Sequence, residues 1–366
     1  MKAFIKRHKT LTAISMIFLI LLLLAGTAFG FAVSKLNKLS YHDGKVSTQE
    51  TEALSGEAGD VENETATGTE VLPQEEENLI SDEEAEALGE GEIVHSDDEI
   101  KSDENVFNIL FLGTDERVDE FTSKARADSI MLLSLDKKNK TMKLVSLQRG
   151  MGMPIPYGKY EGQYDWLTHL FRYGGADMMM QAVRDNFKVD VQYYARVNFH
   201  TFEKLIDSVG GVDVELTELE TQALNDEIRT NARVKNKVHV GMNRLDGYDA
   251  LQYARLRYTD SDWKRVRRQR NVIQSVVTAA GDMSLLDINA MLDTILPLTQ
   301  TNLTTADILG LVGYAPAVLG REFEQMTIPA SGTYGSMKGM GGRNLYAVDF
   351  KQNSKILQDF LYGKEE

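Results

Sequence analysis

The chain has 366 residues, a formal net charge of −15, 26% charged and 42% hydrophobic side chains, and no cysteine. The missing thiols exclude disulfide staples and thiolate metal centres, and six histidines without a His-x-x-x-His pair argue against a zinc site. No Gly-x-Ser-x-Gly elbow, phosphate-binding P-loop or internal repeat is present.

Residues 10–34 contain no charged side chain and would span roughly 37 Å as a helix, enough for a hydrocarbon core of about 30 Å. The apolar run exceeds the ~7–15 residues of a signal-peptide core, so an uncleaved transmembrane helix is expected rather than a cleaved leader. Lys2, Lys6, Arg7 and Lys9 precede the run, and Lys35 and Lys38 follow it. That bias leaves residues 1–9 in the cytoplasm and everything after residue 34 outside, in a single-pass membrane protein. Asp43–Glu104 then carries 22 acidic residues against Lys45 and Lys101. With almost no aromatics, residues 35–104 are expected to be an acidic, disordered extracellular linker. The remainder is mildly basic.

Residues 105–363 form the folded domain expected from the pattern. VFNILFLG from Val106 reads as a buried strand, followed by the loop GTDER with Asp115 and Arg117. RADSIMLLSLD starts a second strand after Arg126 and Asp128, and KTMKLVSLQRG a third that closes on Arg149. Charged groups beyond strand ends are where open α/β sheets bind ligands. Helical spacing covers Ala176–Phe187, with Met179, Met180, Val183 and Phe187 on one face, and Phe199–Val209, with Phe202, Leu205, Ile206 and Val209. Those stripes suit core packing, or a groove for a long-chain lipid.

Between Arg255 and Arg270 stand seven basic side chains, against the acidic trend of the chain. Arg255 and Arg257, two apart, would point to one side of an extended segment. A helix is predicted from about Asp262, with Arg265 and Gln269 one turn apart, and Val272, Ile273, Val276, Val277 and Ala280 as its buried stripe. Guanidinium forks beside a helix start make a pocket for a multiply charged anion. A solvated basic face paired with Asp260 and Asp262 is the plainer alternative. Further helices are predicted over Leu285–Leu298 and Thr305–Leu319, then a strand in MTIPASGTY and a strand and helix in NLYAVDFKQNSKILQDFL. The fold class is α/β: one α/β/α domain, its central mixed β-sheet flanked by helices, after one N-terminal transmembrane helix.

Taken together, these segments resemble the LytR–CpsA–Psr family of membrane-anchored cell-wall phosphotransferases. The resemblance rests on GTDER at Gly113–Arg117, RADSI at Arg126–Ile130, SLQRG at Ser146–Gly150 and YGG at Tyr173–Gly175. It continues through Val197–Val214 and closes on A-R-x-R-x-x-D-x-D-x-x-R-x-x-R-Q at Ala254–Gln269. Two departures stand out: Gln148-Arg149-Gly150 replaces the family's Pro-Arg-Asp, and DWLTHLFRYGG leaves His169 and Arg172 as its polar groups.

The resemblance implies transfer of an anionic glycopolymer (teichoic acid, capsule or secondary wall polysaccharide), as glycosyl phosphate, from a polyprenyl-diphosphate carrier to a peptidoglycan hydroxyl. It also implies Mg²⁺ (or Mn²⁺) on Asp115 and Asp128. Arg149, Arg255, Arg257 and Arg265, with Gln269, would hold the diphosphate, Arg117, Arg126 and Arg268 standing behind them. Asp262 would orient those arginines or accept the acceptor's proton. The prenyl chain would lie among the middle helices. Two alternatives share the pocket: a polyprenyl-diphosphate pyrophosphatase, and a non-catalytic polyprenyl-phosphate-binding regulator. The predicted topology places the basic stretch outside the cytoplasm, away from nucleic acid, in a Gram-positive-type envelope.

Overall fold

The computed structural model describes residues 40–44, 79–116, 121–122, 125–228, 237–256, 262–281, 283–304, 306–307 and 324–364. In chain order the elements are β1 (Ser40–Tyr41), α1 (Asp82–Leu88), β2 (Val106–Thr114), β3 (Ala127–Asp136), β4 (Thr141–Leu147), β5 (Gly152–Pro154) and β6 (Tyr164–Trp166). Then come α2 (Leu167–Phe187), β7 (Tyr193–Asn198), α3 (Phe199–Ser208), β8 (Val212–Leu216), α4 (Glu218–Ile228), β9 (Gly241–Leu245), α5 (Gly247–Arg255) and α6 (Asp262–Gly281). The last are α7 (Leu285–Ile295), β10 (Gln300–Thr301), β11 (Glu324–Ile328), β12 (Tyr334–Lys338), β13 (Asn344–Val348) and α8 (Phe350–Tyr362).

Seven strands form one sheet in the order β1-β10-β7-β2-β3-β4-β11. β2 runs parallel to β7 and antiparallel to β3, and β4 runs parallel to β11, so the sheet is mixed. The continuous apolar runs of β2, β3 and β4 are explained by burial on both faces. Ile109, Met131, Leu133 and Leu144 face a layer with Ile206, Tyr253, Val272, Val276 and Met291 from α3, α5, α6 and α7. Leu110, Leu112, Leu132, Val145 and Leu147 face the opposite layer, with Met179, Val183 and Phe187 of α2 and Phe350 and Leu357 of α8. This is the expected α/β arrangement, a mixed sheet between helices.

Three expectations need correcting. Residues 40–44 and 79–104 belong to the folded body rather than to a disordered linker. Ser40 and Tyr41 add an edge strand beside Gln300 and Thr301. Ile80 is fully buried, its carbonyl accepts from Asn344 Nδ2 at 3.1 Å, and Lys101 bridges to Val189. The acidic composition of this stretch conceals a helix start: Ser81 Oγ caps Glu84 N at 3.0 Å, and Asp82, Glu83 and Glu84 fill the first turn, where the helix dipole favours them. Arg255 is the last residue of α5, not part of an extended segment, because Asp246 caps that helix on Asp249 N at 2.9 Å and its apolar face joins the core. The α2 stripe is sheet core: Met179, Val183 and Phe187 have no exposed surface, so they line no open groove.

Among the described residues no helix is long and apolar enough to cross a membrane. Residues 10–34 lie outside the described residues, as do 45–78 and most of the predicted helix over 305–319.

Candidate functional site

The parallel strands β2, β4, β7 and β11 end on the same side of the sheet, and antiparallel β3 begins there, since Thr114 pairs with Ala127 and Leu147 with Ile328. Asp115 follows β2, Asp128 opens β3 and Arg149 follows β4, so residues distant in sequence converge at one sheet end. The first turn of α6 brings Asp262 and Arg265 to the same place.

Arg149 is the hub. Its Nη1 donates to Asp128 Oδ1 at 2.7 Å and its Nε to Asp262 Oδ1 at 3.0 Å, with the side chain only 4% exposed. Arg265 Nη2 donates to that same Asp262 oxygen at 3.0 Å and to the Asp128 carbonyl at 3.0 Å. Asp262 therefore acts as a staple that fixes two guanidinium planes, while Asp128 touches both through side chain and main chain. Burial alone would raise the Asp128 pKa, but Arg149, Arg265 and Arg126 outweigh it and hold the carboxyl down at about 2. Asp128 Oδ2 makes no hydrogen bond among the described residues, and 20% of the side chain's surface is exposed.

Asp115 sits one strand away. Its Oδ1 accepts from Arg126 N at 2.8 Å and its Oδ2 from Arg126 Nε at 3.2 Å. Arg255 is exposed and lies 4.7 Å over the Phe199 ring, whose main-chain N–H donates to the Glu116 carbonyl. It thus stands beside the loop that carries Asp115. Gln269 is half-buried one turn beyond Arg265 and makes no hydrogen bond among the described residues. Arg117 and Arg257 lie outside the described residues. Arg268 is structural: 1% exposed, it donates to Glu220 Oε1 at 3.2 Å and to the Leu256 carbonyl, tying α6 to α4 and the end of α5.

Two supporting residues, Arg196 and Asp165, were not singled out from sequence. Arg196 of β7 is buried between the Phe121 and Phe171 rings, each 4.6 Å away, and donates to Glu116 Oε1, Thr122 O and Thr114 Oγ1. It pins the loop that carries Asp115. Its signal was weak, since a lone charge in an apolar strand also suits an edge position. Asp165 is fully buried under α2, accepting from His169 Nδ1 at 2.9 Å and Tyr173 Oη at 2.6 Å. Thr168 N donates to the Arg149 carbonyl, so the start of α2 buttresses the hub from behind. Gly150 leaves space that Tyr346 and Ile80 fill: a Cβ there would lie 3.4 Å from Tyr346 Cε2 and 3.5 Å from Ile80 Cδ1.

The chain is thus an α/β protein with a mixed sheet and buried, carboxylate-stapled arginines at one sheet end. The chain belongs to the LytR_cpsA_psr family, whose signature matches residues 71–360. It is 30% identical to the polyisoprenyl-teichoic acid–peptidoglycan teichoic acid transferase TagT of Bacillus subtilis, over 60% of this chain and 67% of that protein. It is 36% identical to TagU of Bacillus cereus, which carries the same transferase name, over 54% of this chain and 60% of that protein. The chain thus spans about two-thirds or less of these relatives' lengths. Among solved structures, TagT bound to LIIa-WTA aligns over 74% of this chain and 99% of its own, at 26% identity and a TM-score of 0.57.

Proposed function

We propose that the protein transfers an anionic glycopolymer, as glycosyl phosphate, from a polyprenyl-diphosphate carrier to a hydroxyl of peptidoglycan. One observation carries the reading: Arg149 and Arg265, both buried, converge on Asp262 beside the open oxygen of Asp128. Two desolvated guanidinium groups held rigidly match the oxygens of a diphosphate and suit the charge that builds up during phosphoryl transfer. The TagT and TagU names point to the same chemistry.

In this account the acceptor hydroxyl oxygen bonds to the sugar-bearing phosphorus and gives its proton to water, the bond from that phosphorus to the bridging oxygen breaks, and polyprenyl phosphate leaves with that oxygen and its electron pair. Arg149 and Arg265 hold the diphosphate, with Arg255 and Gln269 at its edges. Asp262, its Oδ1 shared by two guanidinium groups, is assigned to positioning rather than to proton acceptance. The diphosphate takes over Arg149 from Asp128, one anion replacing another.

Mg²⁺ fits this donor set only in part. Asp128 is ionised with a free oxygen, Asp115 holds Arg126, and no group of three His, Asp or Glu residues is gathered among the described residues. Two carboxylates completed by substrate phosphate and water are an arrangement Mg²⁺ accepts. Bound there, the ion would neutralise charge on the phosphate oxygens. The apolar tail is assigned to the α3 side of the sheet, where Phe202 and Leu205 are half-buried at the edge of the core. Residues 10–34 would be the membrane anchor, with the N-terminus in the cytoplasm and the domain facing a Gram-positive-type wall.

The test is turnover of a synthetic prenyl-diphosphate oligosaccharide by the full chain with Mg²⁺, with and without a peptidoglycan oligomer. Linked product that requires the acceptor is expected. Equal release of prenyl phosphate without acceptor would replace the transferase with a pyrophosphatase.

A further inference from the structure

Beside the anion pocket stands an aromatic cluster that the reaction as described does not use. Trp263 follows Asp262 in the first turn of α6, Tyr334 comes from β12 and Tyr346 from β13. The Trp263 and Tyr334 rings stack 5.5 Å apart at 26°. Tyr346 backs both, 6.1 Å from Trp263 and edge-on to Tyr334 at 5.3 Å. Tyr346 is 1% exposed, whereas Trp263 and Tyr334 are half-buried and therefore present surface.

Two links fix this wall to the pocket. Trp263 is covalently next to Asp262, which holds Arg149 and Arg265. Tyr346 N donates to the Gly150 carbonyl at 3.0 Å, and its ring fills the space beside Gly150, the residue after Arg149. The wall's polar groups are partly open as well. Trp263 Nε1 and Tyr334 Oη make no hydrogen bond among the described residues. Glu84 Oε1 accepts from Tyr346 Oη at 2.9 Å, and its Oε2 bonds to no described residue.

We propose that Trp263 and Tyr334, backed by Tyr346, form a stacking platform for a pyranose ring next to the diphosphate. This rests on the transferase reading above. A pyranose has an apolar C–H face and a polar rim of hydroxyls. It therefore matches the ring face that the stacked pair leaves open, with Trp263 Nε1 and Tyr334 Oη as donors and Glu84 Oε2 as an acceptor available to its hydroxyls. A bare lipid phosphate has no such face. The platform takes either the sugar that the diphosphate carries or a sugar of the incoming wall strand, and both present the same chemistry.

The test uses the full chain in detergent with three probes: a short-chain prenyl-diphosphate disaccharide, the same prenyl diphosphate without sugar, and a peptidoglycan tetrasaccharide. The chain has two tryptophans, and Trp166 is 2% exposed, so ligand-induced emission changes report mainly on Trp263. In the parent, the disaccharide-bearing lipid should bind about tenfold tighter than the sugar-free lipid, the size of one ring-stacking contact, and shift the emission. In Trp263→Leu that gap closes while sugar-free affinity is kept; Tyr334→Leu, an independent variant, narrows it. An emission shift with the tetrasaccharide instead assigns the platform to the acceptor sugar. A gap that persists in both variants overturns the platform alone. A parent that binds neither lipid overturns the transferase reading, and the platform with it.

Discussion

Asp128 shows how one side chain can register the state of the whole pocket. Its carboxyl is held at about 2 by Arg149, Arg265 and Arg126 against the opposing effect of burial. A depressed carboxylate contributes stability that is complete above its unfolded value and lost as pH falls through the folded one. Between about pH 5 and pH 2 the protein should therefore lose about 2 kcal/mol from this group. Thermal unfolding followed over that range should show the decline, and Asp128→Asn should flatten it. An unchanged slope in the variant would mean that the Arg149 contact is not formed in solution. At this scale the sequence was informative about type and weaker about role. Asp115, Asp128, Arg149, Asp262 and Arg265 are all visible as charged residues at strand ends or in the basic stretch. That Asp262 staples two arginines is a matter of side-chain geometry that spacing cannot give. Arg268 was ranked behind Arg265 in sequence, and three residues of helix rotate it into the core against Glu220.

Among the elements, β2, β3, β4 and α6 were legible because burial on both faces, or on one helical stripe, leaves a strong apolar period. α1 was not, because its acidic residues read as disorder in bulk composition; the Ser81-x-x-Glu84 capping signature was the local sign that a helix starts there. α5 was misjudged at Arg255 because capping by Asp246 and core contacts, rather than propensity, carry the helix to that residue. The order on both sides of residues 45–78 changes what the acidic run does. Gly44 O accepts from Asp177 N at 2.9 Å, and Ile80 is buried, so the run connects two points on the folded body. Halving it should relieve about 0.6 kcal/mol of closure cost and leave transfer unchanged. Thermal unfolding and the transfer assay on such a deletion measure both. Loss of transfer with the fold intact would restore the role of a spacer.

For the whole molecule, the proposed membrane anchor would make β1 the element that sets the working height. Were residues 10–34 the anchor, the six steps from Ser34 to Ser40 could span at most about 20 Å, which would keep the β1 edge of the sheet near the bilayer surface. The anion pocket then needs to reach only a diphosphate at the headgroup level. Binding of that diphosphate is the central claim, and titration of the full chain in detergent with a short-chain prenyl diphosphate tests it most directly. The parent, Arg149→Lys and Arg265→Lys would be compared with and without Mg²⁺. Each lysine replaces a two-pronged guanidinium with a point charge, so the account predicts at least about tenfold weaker binding in either variant. It also predicts tighter binding by the parent when Mg²⁺ is present. Parent-like affinity in both variants would contradict it.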